Sequence, residues 1–201
     1  MNTITKRTRG RPKTLDRSHV LQTALTRYWD EGPTSVSIGD LCEAAGVSKP
    51  GLYREFGSDD GLKVAVLEHY HDVVLTPMYA ILSSDKPFVD VIQDFINFVA
   101  QDRRAIGVPP GCLQVSMRAH RNELGEMTGK KVDGLRQKTL SKYEELIESA
   151  KAKGEIGSNI SSKVGALLLD AQNASAMGMQ REGVPNETIK TVMLHALSGL
   201  R

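Results

Sequence analysis

Apolar residues recur along this chain at intervals of three and four, and period-two alternation is rare, so helices are expected throughout and strands are not. A first helix begins near Asp16, carries Val20, Leu21, Ala24, Leu25, Tyr28 and Trp29 on one face, and stops at Gly32–Pro33. Ile38, Leu41, Cys42 and Ala45 mark a second, short helix. Ser37 is placed to cap it, and Asp40 three residues on completes a capping-box pattern. Gly46 supplies the positive φ that ends it, and Val47 anchors the turn. Ser48 then caps a third helix running to about Phe56, with Pro50 in its first turn, where the missing N–H costs little. Leu52 and Phe56 face inward, which leaves Lys49, Gly51, Tyr53 and Arg54 outward. A short helix with a basic, hydrogen-bonding outer face is what reading base edges in a DNA groove requires.

A longer helix starts after Gly57–Ser58, with Asp59 and Asp60 at its positive end, and runs until Thr76–Pro77 kinks or ends it. Further helices are expected near 87–104, 112–124, 126–153, 161–182 and 186–200, with Gly107-Val-Pro-Pro-Gly111 as a clear break. Gly129 and Gly134 weaken the middle of the seventh. The expected fold is all-α, with about nine helices: a three-helix helix-turn-helix domain over 14–57 and a larger helical domain over 58–201.

Charge adds a third region. Residues 1–13 hold Lys6, Arg7, Arg9, Arg11 and Lys13, no acidic residue and little apolar surface, so the segment cannot fold alone. Gly10-Arg-Pro-Lys13 resembles basic arms that lie in a narrow minor groove. Each phosphate so neutralised adds about 0.9 to the salt slope of binding. The net charge of the 201 residues is only +2, so positive charge acts here by its location. No apolar run approaches a membrane span, and the two cysteines make no disulfide framework, so a cytoplasmic protein is expected.

Laid out this way, residues 14–67 resemble the TetR family of one-component bacterial regulators. The resemblance is carried by the GRPK lead-in, Trp29–Gly32, Thr34-Ser-Val-Ser-Ile38, Ala44-Ala-Gly-Val-Ser-Lys49, Leu52-Tyr53 and Phe56-Gly-Ser58. It covers about the first third of the chain and implies a dimeric repressor of a palindromic operator, with a C-terminal effector-binding and dimerisation domain. Carried over by position, Thr34, Ser35 and Ser37 meet phosphates and Tyr53 reaches the backbone, while Lys49, Gly51 and Arg54 lie nearest the bases; Ser48 is a further DNA-binding candidate. Arg54 is the preferred direct reader, since arginine pairs bidentately with guanine. Two departures stand out. Gly51 replaces the small hydroxyl residue or alanine of many relatives. Asp59 stands where a lysine often holds phosphate, so that contact is expected from Lys63 instead.

The C-terminal half says less. Val164, Leu167, Leu168, Ala171, Ala174 and Gly178 form one helical stripe, and Ile189, Val192, Met193, Ala196, Leu197 and Leu200 form another. Both suit a two-fold four-helix bundle, and both also suit packing onto their own domain. Phe88, Phe95, Phe98, Met117, His120, Tyr143 and Met177 are candidates to line an effector cavity, although such residues equally make plain core. No metal-ligand cluster and no cofactor motif emerges; His69 and His71, two apart on a helix, diverge. Nor is there a nucleophile–base pair or clustered carboxylates, so an enzyme is not expected. Cys112 follows Pro109-Pro-Gly111 at an expected helix start, where the dipole and nearby Arg103, Arg104 and Arg118 favour a thiolate. Its Gly-Cys-Leu triplet resembles one subset of the family, in some members of which this cysteine is redox- or electrophile-reactive. Two readings follow for the signal: release by a small molecule, or a thiol-based redox or electrophile sensor working through Cys112.

Overall fold

Short polar side chains at helix starts set the boundaries of the N-terminal elements in the computed structural model, which describes residues 15–200. The Asp16 carboxylate accepts the His19 N–H at 3.1 Å and opens α1, Arg17–Asp30. Ser37 opens α2, Ile38–Ala45, through a complete capping box with Asp40. Ser48 opens α3, Lys49–Phe56, by accepting the Gly51 N–H at 3.2 Å. Ser58 accepts the Gly61 N–H at 3.0 Å and opens α4, Asp59–Tyr70. Among the described residues there are ten α-helices and no strand.

The helix expected to reach Thr76–Pro77 does not end there. A π-helical segment, His71–Leu75, leads directly into α5, Thr76–Leu82. The Thr76 N–H donates to the His71 carbonyl five residues back. This wider turn eases the clash between a proline ring and the carbonyl four residues before it, so Pro77 is carried within one continuous path.

The body consists of α6 (Phe88–Val99), α7 (Leu113–Ala119), α8 (Glu126–Ala152), α9 (Ser162–Arg181) and α10 (Asn186–Leu197). Two of these are shorter than their apolar patterns predict. A loop with a 3-10 turn at Arg104–Ile106 follows α6, and another turn, Arg121–Glu123, follows α7. His120 Nδ1 donates to the Ser116 carbonyl at 2.9 Å, which gives a C-terminal carbonyl of α7 its partner where the helix stops. α8 stays unbroken over 27 residues despite Gly129 and Gly134.

The packing runs α1 on α4, α4 on α8, and α8 on α9. Trp29 and Tyr70 meet edge to face at 5.0 Å in the first of these contacts. No helix among the described residues is long and apolar enough to cross a membrane.

Candidate nucleic-acid interface

The α2–α3 pair is rigid because its local signals agree. Gly46 sits in the left-handed region at φ 64° and gives its N–H to α2, so the chain turns without strain. Leu41 and Leu52 are fully buried against α1 and α4, which sets the rotation of α3. That rotation leaves Lys49 and Arg54 exposed and Gly51 and Tyr53 half-covered. The Lys49 ammonium lies 5.6 Å from the Tyr53 ring centre. Neither Lys49 nor Arg54 forms an ion pair with another described residue, whereas Glu55 beside them is held by Arg17 at 3.2 Å. A groove of about 670 Å³ runs beside the turn, lined by Leu15, His19, Gly46, Ser48, Gly51 and Arg54 among others. The sequence reading missed His19, which shares this groove with Arg54; its only signal was an outward position on α1. The arm candidates Lys6, Arg7, Arg9 and Arg11 lie outside the described residues.

Thr34, Ser35 and Ser48 are exposed on the same module. Ser37 is exposed too, but its hydroxyl already accepts the Asp40 N–H and donates to the Asp40 carboxylate at 2.7 Å. The hydroxyl, together with the Ser37 N–H that donates to the same carboxylate at 3.1 Å, holds the Asp40 carboxyl below the usual range. Lys63 is not where the sequence suggested. Its side chain is 11% exposed, and its ammonium is bound to Asp59 at 2.6 Å, 5.4 Å from the Tyr28 ring centre. The residue that departs from the family pattern thus occupies the lysine meant to replace it. The buried Tyr28 hydroxyl also donates to Asp59, at 3.3 Å. Burial first, and then the Asp59 charge, push that phenol far above its ordinary pKa.

Asp60, one residue on, reaches a different helix. Its carboxylate accepts the Met127 and Thr128 N–H groups, each at 2.9 Å, and the Thr128 hydroxyl. It therefore caps the start of α8 from α4, 67 residues away in sequence. Burial by itself would raise the Asp60 carboxyl, yet the Thr128 and Met127 bonds and the nearby Lys63 charge bring it below the usual range. Gly125 permits the approach, since a Cβ there would stand 2.3 Å from the Asp60 carboxyl carbon. No local pattern announced this joint.

The effector candidates are mostly packed core. Phe95, Met117, Tyr143 and Met177 are buried, while Phe98 and His120 are half-buried. Phe95 and Tyr143 meet edge to face at 5.6 Å, and the Tyr143 hydroxyl is buried without a hydrogen-bond partner among the described residues. Cys112 is the N-cap residue before α7, buried, with its Sγ 2.9 Å from the Tyr70 hydroxyl. Arg118, expected to favour a Cys112 thiolate, is instead paired with buried Asp170 at 3.0 Å, and Arg136 shares that carboxylate at 3.3 Å.

The two C-terminal stripes part company. Ile189, Met193, Leu197 and Leu200 are buried within their own chain, so most of the α10 stripe is ordinary core. On α9, Val164 and Leu167 are 58% and 50% exposed, Ala171 is exposed, and Leu168, Ala174 and Gly178 are half-exposed. Val192, 40% exposed, and half-exposed Ala196 extend that face onto α10.

Residues 20–66 match the model of the family described as bacterial regulatory proteins, tetR family. The chain is 34% identical over 112 residues to the HTH-type transcriptional repressor ComR of Escherichia coli K12, which covers 55% of this chain and 53% of ComR. The chain thus spans about half the length of that relative. Among solved structures, the TetR-family regulator CifR, in a cysteine-substituted form complexed with a 26-base-pair operator duplex, superposes with a TM-score of 0.81 at 22% identity, over 96% of this chain and 100% of CifR. Escherichia coli NemR in its reduced form gives 0.76 at 19% identity, over 92% of this chain and 96% of NemR. At these identities the structural likeness is one of fold.

Proposed function

We propose, from this chain's membership of the TetR family of bacterial regulatory proteins, that it is a dimeric repressor which reads an operator with α3 and releases it when a small molecule binds the C-terminal body. One observation carries the reading. On a helix-turn-helix held by two side-chain caps, α3 presents Arg54 and Lys49 outward and without ion-pair partners among the described residues. Unpaired, exposed cations on a rigid short helix suit groove recognition, because neither a buried contact nor a competing carboxylate must be broken on binding. ComR, named as a repressor, and CifR, seen on operator DNA, support that assignment.

Tight specific binding needs more contact than one small helix offers, which favours two copies. The exposed α9 face, from Val164 through Leu167 to Ala171, suits a two-fold contact whose small residues admit close approach. Two α3 helices would then enter successive major-groove faces about 34–36 Å or a multiple apart. Thr34, Ser35, Ser48 and Tyr53 supply backbone contacts in this scheme, together with the arm residues Lys6, Arg7, Arg9 and Arg11.

Footprinting of the purified protein on its own upstream region should reveal a discrete palindrome. Arg54→Ala should lose about 1–3 kcal/mol of discrimination in each half-site, and Tyr53→Ala should weaken binding, with the dimer intact by light scattering. Normal operator affinity in both variants would overturn the assignment of the reading surface.

A second reading has its own observation. The Cys112 thiol touches the Tyr70 hydroxyl, so it joins α7 to α4, the helix that packs on both the reading head and α8. Oxidation or alkylation of that sulfur would break the contact at the joint between the two parts. NemR, described in a reduced form, shares the fold.

A further inference from the structure

The loop after α6 places a buried cation, without a counter-ion among the described residues, against the reading head. Arg103 is 6% exposed, and its side chain makes no ion pair and no hydrogen bond among the described residues. The guanidinium carbon lies 5.7 Å from the ring centre of Trp29, on α1. Arg103 Nε and Trp29 Nε1 are both buried and both without an acceptor among the described residues. These groups are donors only, and buried donors in folded proteins are nearly always satisfied. Of these two donors only Arg103, the charged one, also borders a cleft where an acceptor with a negative charge could reach it.

Arg103 also lines a cleft of about 240 Å³, with Arg104, Pro110, Gln180, Val184 and Pro185 among its walls. Gln180 is already committed to holding the loop. Its amide donates to the Val99 and Gln101 carbonyls at 2.9 and 3.3 Å and accepts the Gly111 N–H at 3.2 Å. Asp102 borders the same cleft, but its carboxylate accepts the Ala105 N–H at 3.2 Å and does not pair with Arg103. Arg104, exposed on the same cleft, carries a second positive charge.

An arginine edge, Nε with one terminal nitrogen, matches the two oxygens of a carboxylate. We infer that this cleft is the site of a small organic carboxylate, which pairs with Arg103 while its apolar part rests on Pro110, Val184 and Pro185. Binding turns the guanidinium off the Trp29 ring and toward the cleft, and so alters the packing of α1 at the base of the reading head. The inference deepens the proposed function by naming the effector class, and it rests on that function for the regulatory consequence alone.

Trp29 is the sole tryptophan of the chain, so its emission reports the site directly. The full-length protein would be titrated with sodium acetate and sodium cyclohexanecarboxylate, against sodium chloride, sodium sulfate and neutral cyclohexanecarboxamide at matched ionic strength. A saturable change with either carboxylate is expected, and none with chloride, sulfate or the amide. In Arg103→Gln the carboxylate affinity should fall by at least about tenfold, with circular dichroism checking the fold. Arg103→Lys, which keeps the charge but lacks the planar edge, should fall between the two and serves if the glutamine variant does not fold. The site is overturned if neither carboxylate saturates, if the amide or sulfate acts as well as the carboxylates, or if the Arg103 variants bind like the parent. Operator footprints of the ligand-free protein test the regulator reading separately. An Arg103-dependent carboxylate that leaves the operator complex intact keeps the site and overturns its regulatory consequence.

Discussion

Replacing Asp60 with alanine removes the acceptor that joins α4 to the start of α8. The carboxylate accepts two backbone N–H groups at 2.9 Å, those of Met127 and Thr128. The Thr128 hydroxyl has a second acceptor, the Asp60 carbonyl at 3.2 Å, and would keep it. The loss is therefore that of a charged N-cap, typically about 1 and at most about 2 kcal/mol, plus a helix-dipole contribution of about 0.3–1 kcal/mol. Asp60 is half-exposed, so water recovers part of this, and about 1–2 kcal/mol is expected overall. In a chain of 201 residues that lowers Tm by about 2–8 °C. Differential scanning calorimetry at neutral pH measures it. Glu145→Ala, which removes a surface pair with Lys142, should leave Tm nearly unchanged. The pH dependence carries a sign. The folded-state pKa of Asp60 lies below the ordinary value of about 3.9, so its contribution is complete above that value. It is lost as pH falls through the depressed folded value. The gap between the parent and Asp60→Asn should hold from pH 7 to about 5 and close in more acid solution. Coincident melting of the parent and Asp60→Ala, or a gap that persists unchanged into strong acid, would refute the reasoning.

Two substitutions on the C-terminal helices separate interface from core. Leu167→Glu places a charge on the exposed α9 face and should convert dimers to folded monomers in sedimentation velocity, whereas Ile189→Ala, in the core, should cost about 2–5 kcal/mol of stability; a Leu167→Glu dimer of parental strength would count against the α9 interface. Cys112→Ser should still repress but ignore oxidants and electrophiles in a reporter assay, and derepression equal to the parent's would remove the thiol reading.

The capping box of Ser37 and Asp40, the Gly46 turn, and the inward Leu52 with outward Arg54 were all legible in the amino-acid sequence. Each depends on residues within about four positions of one another, where helix geometry alone dictates who meets whom. The apolar stripes were legible as stripes, but not by destination. Ile189 and Val164 occupy equivalent places in their patterns, yet one is core and the other faces outward, because only the arrangement of α8, α9 and α10 decides which flank is covered. Lys63 shows a local rule that was available and unused: Asp59 stands four residues before it, the spacing at which ion pairs form on a helix.

By itself, then, the sequence determined a chain of helices and a helix-turn-helix with a basic outer face. Periodicity, caps and turn residues act over one or two turns and need no tertiary partner. The contacts that tie this head to the body belong to the fold alone: Asp60 on the α8 N-terminus, Tyr70 on Cys112, and Arg103 beside Trp29. Their partners lie 68, 42 and 74 residues apart in the chain. Which distant donor meets which acceptor is set by how α1, α4, α7 and α8 pack, and no spacing rule in the sequence encodes that.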